Sequence, residues 1–220
     1  MTRHTLPAVV LLALCASPIF AGDKADKKDA RANKTVEKLL ARAFKKGVGD
    51  KDGKTIFTLS DKKAVALADA LRKIALRAGS RVLKGEAEIL AGGVKRKVCW
   101  ALGRSGQRGA LDGADASCTA PEGGIAVAVG GHGGRPGGKG GAAEAKGGLL
   151  SFAFAGDGGE GYQQTNGGMG GMASAETSTK DNSGYSLMRP GAGGKGKAGA
   201  GGGGGGGATM GGPGRQVKGD

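Results

Sequence analysis

Two glycine-rich loops carry spacings that can cradle phosphates. The run Ser151–Ala155 leads directly into G156-D-G-G-E-G161, a literal G-x-G-x-x-G. In a dinucleotide fold that loop opens a helix whose N-terminus receives the pyrophosphate. Here it opens onto Y162-Q-Q-T-N-G-G168, which cannot form a helix. Ile125–Val129 is followed by G133-G-R-P-G-G-K139, a G-x-x-x-x-G-K. Gly140 stands where Ser or Thr would hold magnesium, and no long helical pattern follows. Both matches read as by-products of a chain in which 49 of 220 residues are glycine.

Nucleophilic and metal chemistry are equally poorly provided for. His132 is the one histidine beyond residue 21, so any Ser-His-Asp or Cys-His arrangement would have to use it. It sits in a glycine turn with nothing in the sequence to hold it. A zinc site would have to combine His132 with Cys99, Cys118 and a carboxylate, without paired spacing. Glu86 and Glu88 share one face of a strand pattern and read as a solvated face rather than an acid–base pair. In D50-K-D-G53, placing Gly53 at the sixth position of a calcium loop puts Val48 first and Leu59 twelfth, so the ligands fail. The chain is therefore expected to be no enzyme, with no cofactor and no metal.

Charge is the positive signal. The formal net charge is +14. Residues 22–79 hold 16 basic and 8 acidic side chains, residues 80–189 hold 12 and 10, and residues 190–220 hold 4 and 1. The excess thus sits in the first of these segments and favours an anionic partner. Lys38, Arg42, Lys45, Lys46, Arg72, Lys73 and Arg77 are its candidate contacts. K95-R-K97 beside Trp100 is a lesser basic-aromatic patch that reads as the solvated start of a strand.

Residues 1–21 read as a secretory signal peptide: Arg3 at the start, an apolar run Leu6–Leu14, then Ser17, Pro18 and Ala21 before Gly22. Its removal takes Cys15 and leaves Cys99 and Cys118. In an oxidising compartment these form a disulfide on one reading and remain two small buried thiols on the other. After the signal no segment is apolar enough to span a bilayer.

Val36, Leu39, Leu40, Ala43 and Phe44 define one helical stripe, preceded by a charged stretch at 22–34 that reads as frayed. Ser60 is placed to N-cap a second helix with Leu67, Leu71, Ile74, Ala75 and Ala78 on one face. From Gly85 the period changes to two. One strand form is 98–103, 125–130 and 151–156, with a degenerate copy at 184–188; large residues alternate with alanine or cysteine. The other starts at Gly85, Gly113, Gly141 and Gly171 and alternates alanine with polar residues. The two forms alternate along the chain at a period near 27, which indicates stacked repeats. The expected fold class is α+β. It comprises a short helical hairpin within a basic segment at 22–79, then a glycine/alanine-rich β repeat region at 80–189 forming a narrow solenoid or a hairpin meander. A disordered glycine-rich tail fills 190–220, where a bundle of extended polyglycine helices has little support in the sequence.

The functional expectation is an exported non-enzymatic structural protein of the envelope, surface or matrix. The alternative is a secreted module that binds anionic polymers, such as polysaccharide, cell-wall polymer or extracellular nucleic acid, through 22–79. The sequence names no specific partner and no oligomeric state.

Overall fold

The computed structural model describes residues 22–51, 54–109, 111–162, 165–178, 184–196, 201–210 and 214–217. The signal-peptide reading at 1–21 lies outside the described residues, as do Asp52 and Gly53 of the acidic turn.

Helix α1 spans Gly22–Gly47 and α2 spans Asp61–Ala75; between them β1 (Val48–Lys51) and β2 (Lys54–Phe57) pair as an antiparallel ribbon. The stretch read as frayed is helical. Ala25, Ala30, Ala32 and its lysines are good helix formers, and four tertiary hydrogen bonds anchor it, among them Asn33 Nδ2 donating to Lys84 O at 3.1 Å. The Asp29 carboxylate accepts from the backbone N–H groups of Gly79 and Ser80 (2.6 and 3.2 Å). Trp100 Nε1 donates to Asn33 Oδ1 at 2.9 Å. Ala32, Val36, Leu40 and Phe44 are buried along one stripe. Ser60 has extended backbone before α2 but makes no side-chain capping bond.

The remaining strands are β3 (Val82–Ala91), β4 (Val94–Gly103), β5 (Ala116–Thr119), β6 (Ile125–Val129), β7 (Ala143–Gly147), β8 (Leu150–Phe154), β9 (Ala173–Thr177), β10 (Tyr185–Arg189), β11 (Gly207–Met210) and β12 (Gly214–Gln216). They build a six-stranded sheet, β12-β10-β8-β6-β4-β3, and a four-stranded sheet, β11-β9-β7-β5. Every pairing in both is parallel except β3 with β4.

Alternation along each strand decides which layer it meets. Val98, Trp100, Leu102, Ile125, Val127, Val129, Leu150, Phe152, Phe154 and Leu187 point from the six-stranded sheet into one core with both helices. Cys99, Ala101, Ala126, Ala128, Ala153 and Ala155 point the other way, against Ala116, Cys118, Ala143, Ala145, Ala173 and Ala175 of the four-stranded sheet. The first core is ordinary helix-on-sheet packing; the second is a thin alanine layer.

The expected α+β class is therefore corrected to a mixed α/β arrangement of two helices and two parallel-rich sheets. The helices form no separate hairpin ahead of a narrow solenoid or meander. They lie across the sheet because its bulky face has nothing else to cover it, and one continuous cluster of buried residues runs from Ala32 to Val217. The stretch from Gly85 is also reassigned. It joins the other sheet, antiparallel to β4, because Leu83, Ile89 and Ala91 bury with the helices. Gly85 stands opposite Trp100, and a Cβ there would strike the indole.

Residues 190–220 are not a disordered tail where they are described: β11 and β12 are edge strands of the two sheets. The glycine segments linking the sheets form extended arms bonded to one another. Gly131 N–H donates to Ala114 O, Gly141 to Gly131, Gly156 to Gly141, Gly171 to Gly156, Gly191 to Gly171 and Gly205 to Gly191, at 2.8–3.0 Å. The arms touch backbone to backbone. A Cβ on Gly156 would collide with the carbonyl of Gly131.

Gly156→Ala should therefore lower the free energy of unfolding by at least about 2 kcal/mol, since the obstacle is main chain that cannot turn aside. Gly203→Ala, with open space around its Cβ, should change it by less than about 0.5 kcal/mol. Urea midpoints of the two variants check this.

Candidate functional site: a cationic face on the first helix

At about 100° per residue, Lys24, Lys27, Lys28, Arg31, Lys34, Lys38, Arg42, Lys45 and Lys46 fall within about 120° of arc on α1. All nine are exposed. Thr35 is the sole other residue in that arc. The arc lies opposite the buried stripe of Val36, Leu40 and Phe44, so the cations face away from the protein along about 33 Å of helix. Exposed Glu37 lies about 60° outside the arc, and exposed Asp26 shares the azimuth of Phe44. Among the described residues Arg31, Lys34, Lys38, Arg42, Lys45 and Lys46 make no ion pair.

The arrangement opposes helix formation. Like charges at i,i+4, such as Lys27–Arg31, Lys34–Lys38 and Lys38–Arg42, each cost about 0.2–0.5 kcal/mol. Burial of Val36, Leu40 and Phe44 contributes about 1.5–3 kcal/mol each and outweighs them. The sheet beneath thus holds together a charge array that an isolated helix would disfavour.

Of the seven predicted anionic contacts, Lys38, Arg42, Lys45 and Lys46 belong to this face. Lys73 and Arg77 are exposed on and just after α2. Arg72 is a correction: it is only 3% exposed and unavailable to a polymer. Its Nε donates to Gly130 O (3.0 Å), its Nη2 to Ala155 O (2.7 Å) and Phe154 O (3.5 Å), and its Nη1 to Asp69 Oδ1 (2.8 Å). It ties α2 to the ends of β6 and β8. Burial pulls its pKa below the usual arginine value, while the charge and hydrogen bond of Asp69 oppose that pull. The sequence reading missed Lys24, Lys27, Lys28, Arg31 and Lys34. It tracked the apolar stripe, which starts late, rather than the cations, whose own helical spacing runs on to Lys24.

Cys99 and Cys118 are disulfide-bonded, joining β4 to β5 across the alanine layer. The bond pins β5, an edge strand of the four-stranded sheet with one strand neighbour.

His132 stands beside Arg72 in a ladder between successive layers. Ser105 Oγ accepts from His132 N–H (3.1 Å), His132 Nδ1 accepts from Asp157 N–H (2.9 Å), and Asp157 Oδ1 accepts from Ala192 N–H (2.8 Å). Ser105 thus meets the backbone of His132, in a different geometry from a nucleophile–base pair. An accepting Nδ1 is unprotonated, which places the proton of the neutral ring on Nε2. Burial, then the nearby Arg72 charge, push the imidazole below its ordinary pKa, against the pull of Asp157 and Asp69. Among the described residues no cluster of three or more His, Cys, Asp or Glu could hold a metal, and no helix is long and apolar enough to cross a membrane.

Two outcomes follow from these contacts. Arg72→Lys should destabilise the fold by about 2 kcal/mol or more, because one ammonium cannot replace a fork that serves two strand ends and Asp69; thermal unfolding reads this. For His132 the folded pKa lies below the unfolded value near 6.5, so the unfolded chain binds the proton more readily. Stability should fall as pH drops below about 6.5 and level off below the folded pKa. His132→Gln, which keeps an acceptor but does not titrate, should flatten that part of the profile of urea midpoint against pH. Comparison with protein-family models, curated proteins and solved structures finds no match for this chain.

Proposed function

We propose that this is an exported, non-enzymatic structural protein of the cell envelope, surface or matrix, attached to an anionic polymer through α1. The carrying observation is the cationic face: nine exposed Lys and Arg side chains on one arc of a helix whose opposite side is buried. Such an array is unfavourable to the protein alone and favourable beside a polyanion, where it releases bound counterions. The signal-like N-terminus and the Cys99–Cys118 disulfide support an oxidising, extracytoplasmic setting. A rigid double sheet with hydrogen-bonded glycine arms suits a spacer.

Deleting 22–79 is no test, because α1 and α2 cover the bulky face of the sheet. Charge reversal at exposed positions leaves that core intact. The triple variant Lys34→Glu/Lys38→Glu/Arg42→Glu should elute from a heparin column at clearly lower salt, with affinity reduced at least about tenfold near physiological ionic strength. The variant Lys62→Glu/Lys63→Glu/Lys73→Glu changes net charge equally on α2 and should shift elution much less. Unchanged elution of the first variant, or equal shifts in both, would overturn the reading.

A further inference from the structure

We infer that the last glycine arm, residues 201–206, docks a second copy of this chain, the two arms lying antiparallel across a two-fold axis.

The arms that return to the four-stranded sheet, 111–116, 138–143, 168–173 and 202–207, stack in parallel register. Gly113 N–H donates to Lys139 O, Gly140 to Met169 O and Gly170 to Gly203 O, at 2.8–2.9 Å. Each of the first three also receives an arm of the next layer running the opposite way. The N–H groups of that arm reach Leu111 O and Ala114 O in the first, Gly138 O and Gly141 O in the second, and Gly168 O and Gly171 O in the third. In the last arm the matching groups are Gly202 O, Gly205 O and Gly204 N–H. Among the described residues none of these three has a hydrogen-bond partner.

The crossing arm also dictates a residue type. A Cβ on Gly113, Gly140 or Gly170 would collide with the crossing carbonyl of Gly131, Gly156 or Gly191. The next residue in that column, Gly204, is again glycine, yet among the described residues no atom comes closer than 3.9 Å to a Cβ built there. An ordered glycine costs more entropy than alanine, and Gly204 has no described contact that requires it. The last arm thus keeps the bonding groups and the clearance that admit an opposing arm.

Direction selects the occupant. The missing neighbour runs antiparallel to 201–206 and must itself present glycine at the crossing. The same arm of a second copy meets both conditions. A two-fold axis across the arm turns it antiparallel, and residues 201–207 are all glycine. Each copy then offers the N–H of Gly204 to a carbonyl that the other leaves open. No charge and no proline, the residues that blunt an edge, occurs from Ala198 to Met210. At the opposite end of the stack β3 exposes Lys84, Glu86 and Glu88, and the disulfide holds β5. Such a self-complementary contact closes at two copies instead of growing into a filament.

Sedimentation equilibrium of residues 22–220 tests this. The mass should rise with concentration from one chain to two and no further. Gly204→Val puts a side chain in the path of the opposing arm and should weaken association at least about tenfold, while its circular dichroism spectrum stays that of the parent. Gly203→Val is the control. Its column holds Asp112, Lys139 and Met169 in the earlier arms, all exposed, so a side chain there faces solvent and should leave the dimer intact. A single-chain mass at every concentration would overturn the inference. So would a dimer unaffected by Gly204→Val, equal weakening by Gly203→Val, or masses beyond two chains.

Discussion

The structure depends on a central sheet whose two faces are made from residues of different size. In β4, β6 and β8, side chains such as Trp100, Val127 and Phe152 alternate with Cys99, Ala126 and Ala153. Because successive residues point to opposite sides, one face is deep and irregular and the other nearly flat. The deep face needs a partner that can bury large side chains, which the helices supply. The flat face admits a second sheet at close range. Each layer of the protein is a consequence of that alternation, and the strands β6 and β8 are buried along their whole length.

Position along the sheet settles the local exceptions. Among the described residues the four-stranded sheet ends at β5 and has no strand beyond it on the β3 side, and Lys84, Glu86 and Glu88 of β3 stand exposed. Exposed charges on an edge strand discourage pairing with another chain. At β5 the same edge is held by a disulfide. At the other end of the strands, glycine removes the side chains altogether, and the arms pack by main-chain hydrogen bonds. Arg72 closes the gap between these regimes. The cost of its burial is offset by the hydrogen bonds it donates to the carbonyls of Gly130, Phe154 and Ala155 and to Asp69.

The charge array belongs to the same design. α1 is long, lies on the sheet, and is fixed by Asp29 and Asn33 as well as by its apolar stripe. A helix held in that way can display cations that its own propensity would not tolerate. Its display side and its buried side are separated by half a turn, so the charge display and the folding draw on different residues. The charge reversals that test binding can for that reason leave the core alone.

The sequence by itself determined where β3 to β10 lie, the large/small alternation and the alanine face, because each is a local pattern with a period of 2, and its composition gave the basic character of the first segment. It also set Lys38, Arg42, Lys45 and Lys46 away from the apolar stripe of Val36, Leu40 and Phe44, which is unambiguous in the sequence. It did not assign Arg72, which lies about 100° round α2 from exposed Lys73, on the side of buried Ala64 and Ala68, and whose partners are the carbonyls of Gly130, Phe154 and Ala155, 58 to 83 residues away. It could not show that 22–34 is helical, because the stabilising hydrogen bonds come from Gly79, Ser80, Lys84 and Trp100. It read 201–207 as flexible, because polyglycine has no intrinsic reason to order; the other arms supply that reason through the hydrogen bonds they exchange. The tertiary structure decided which residues face a neighbour and which face solvent. That depends on contacts between segments far apart in the chain, which no local period records.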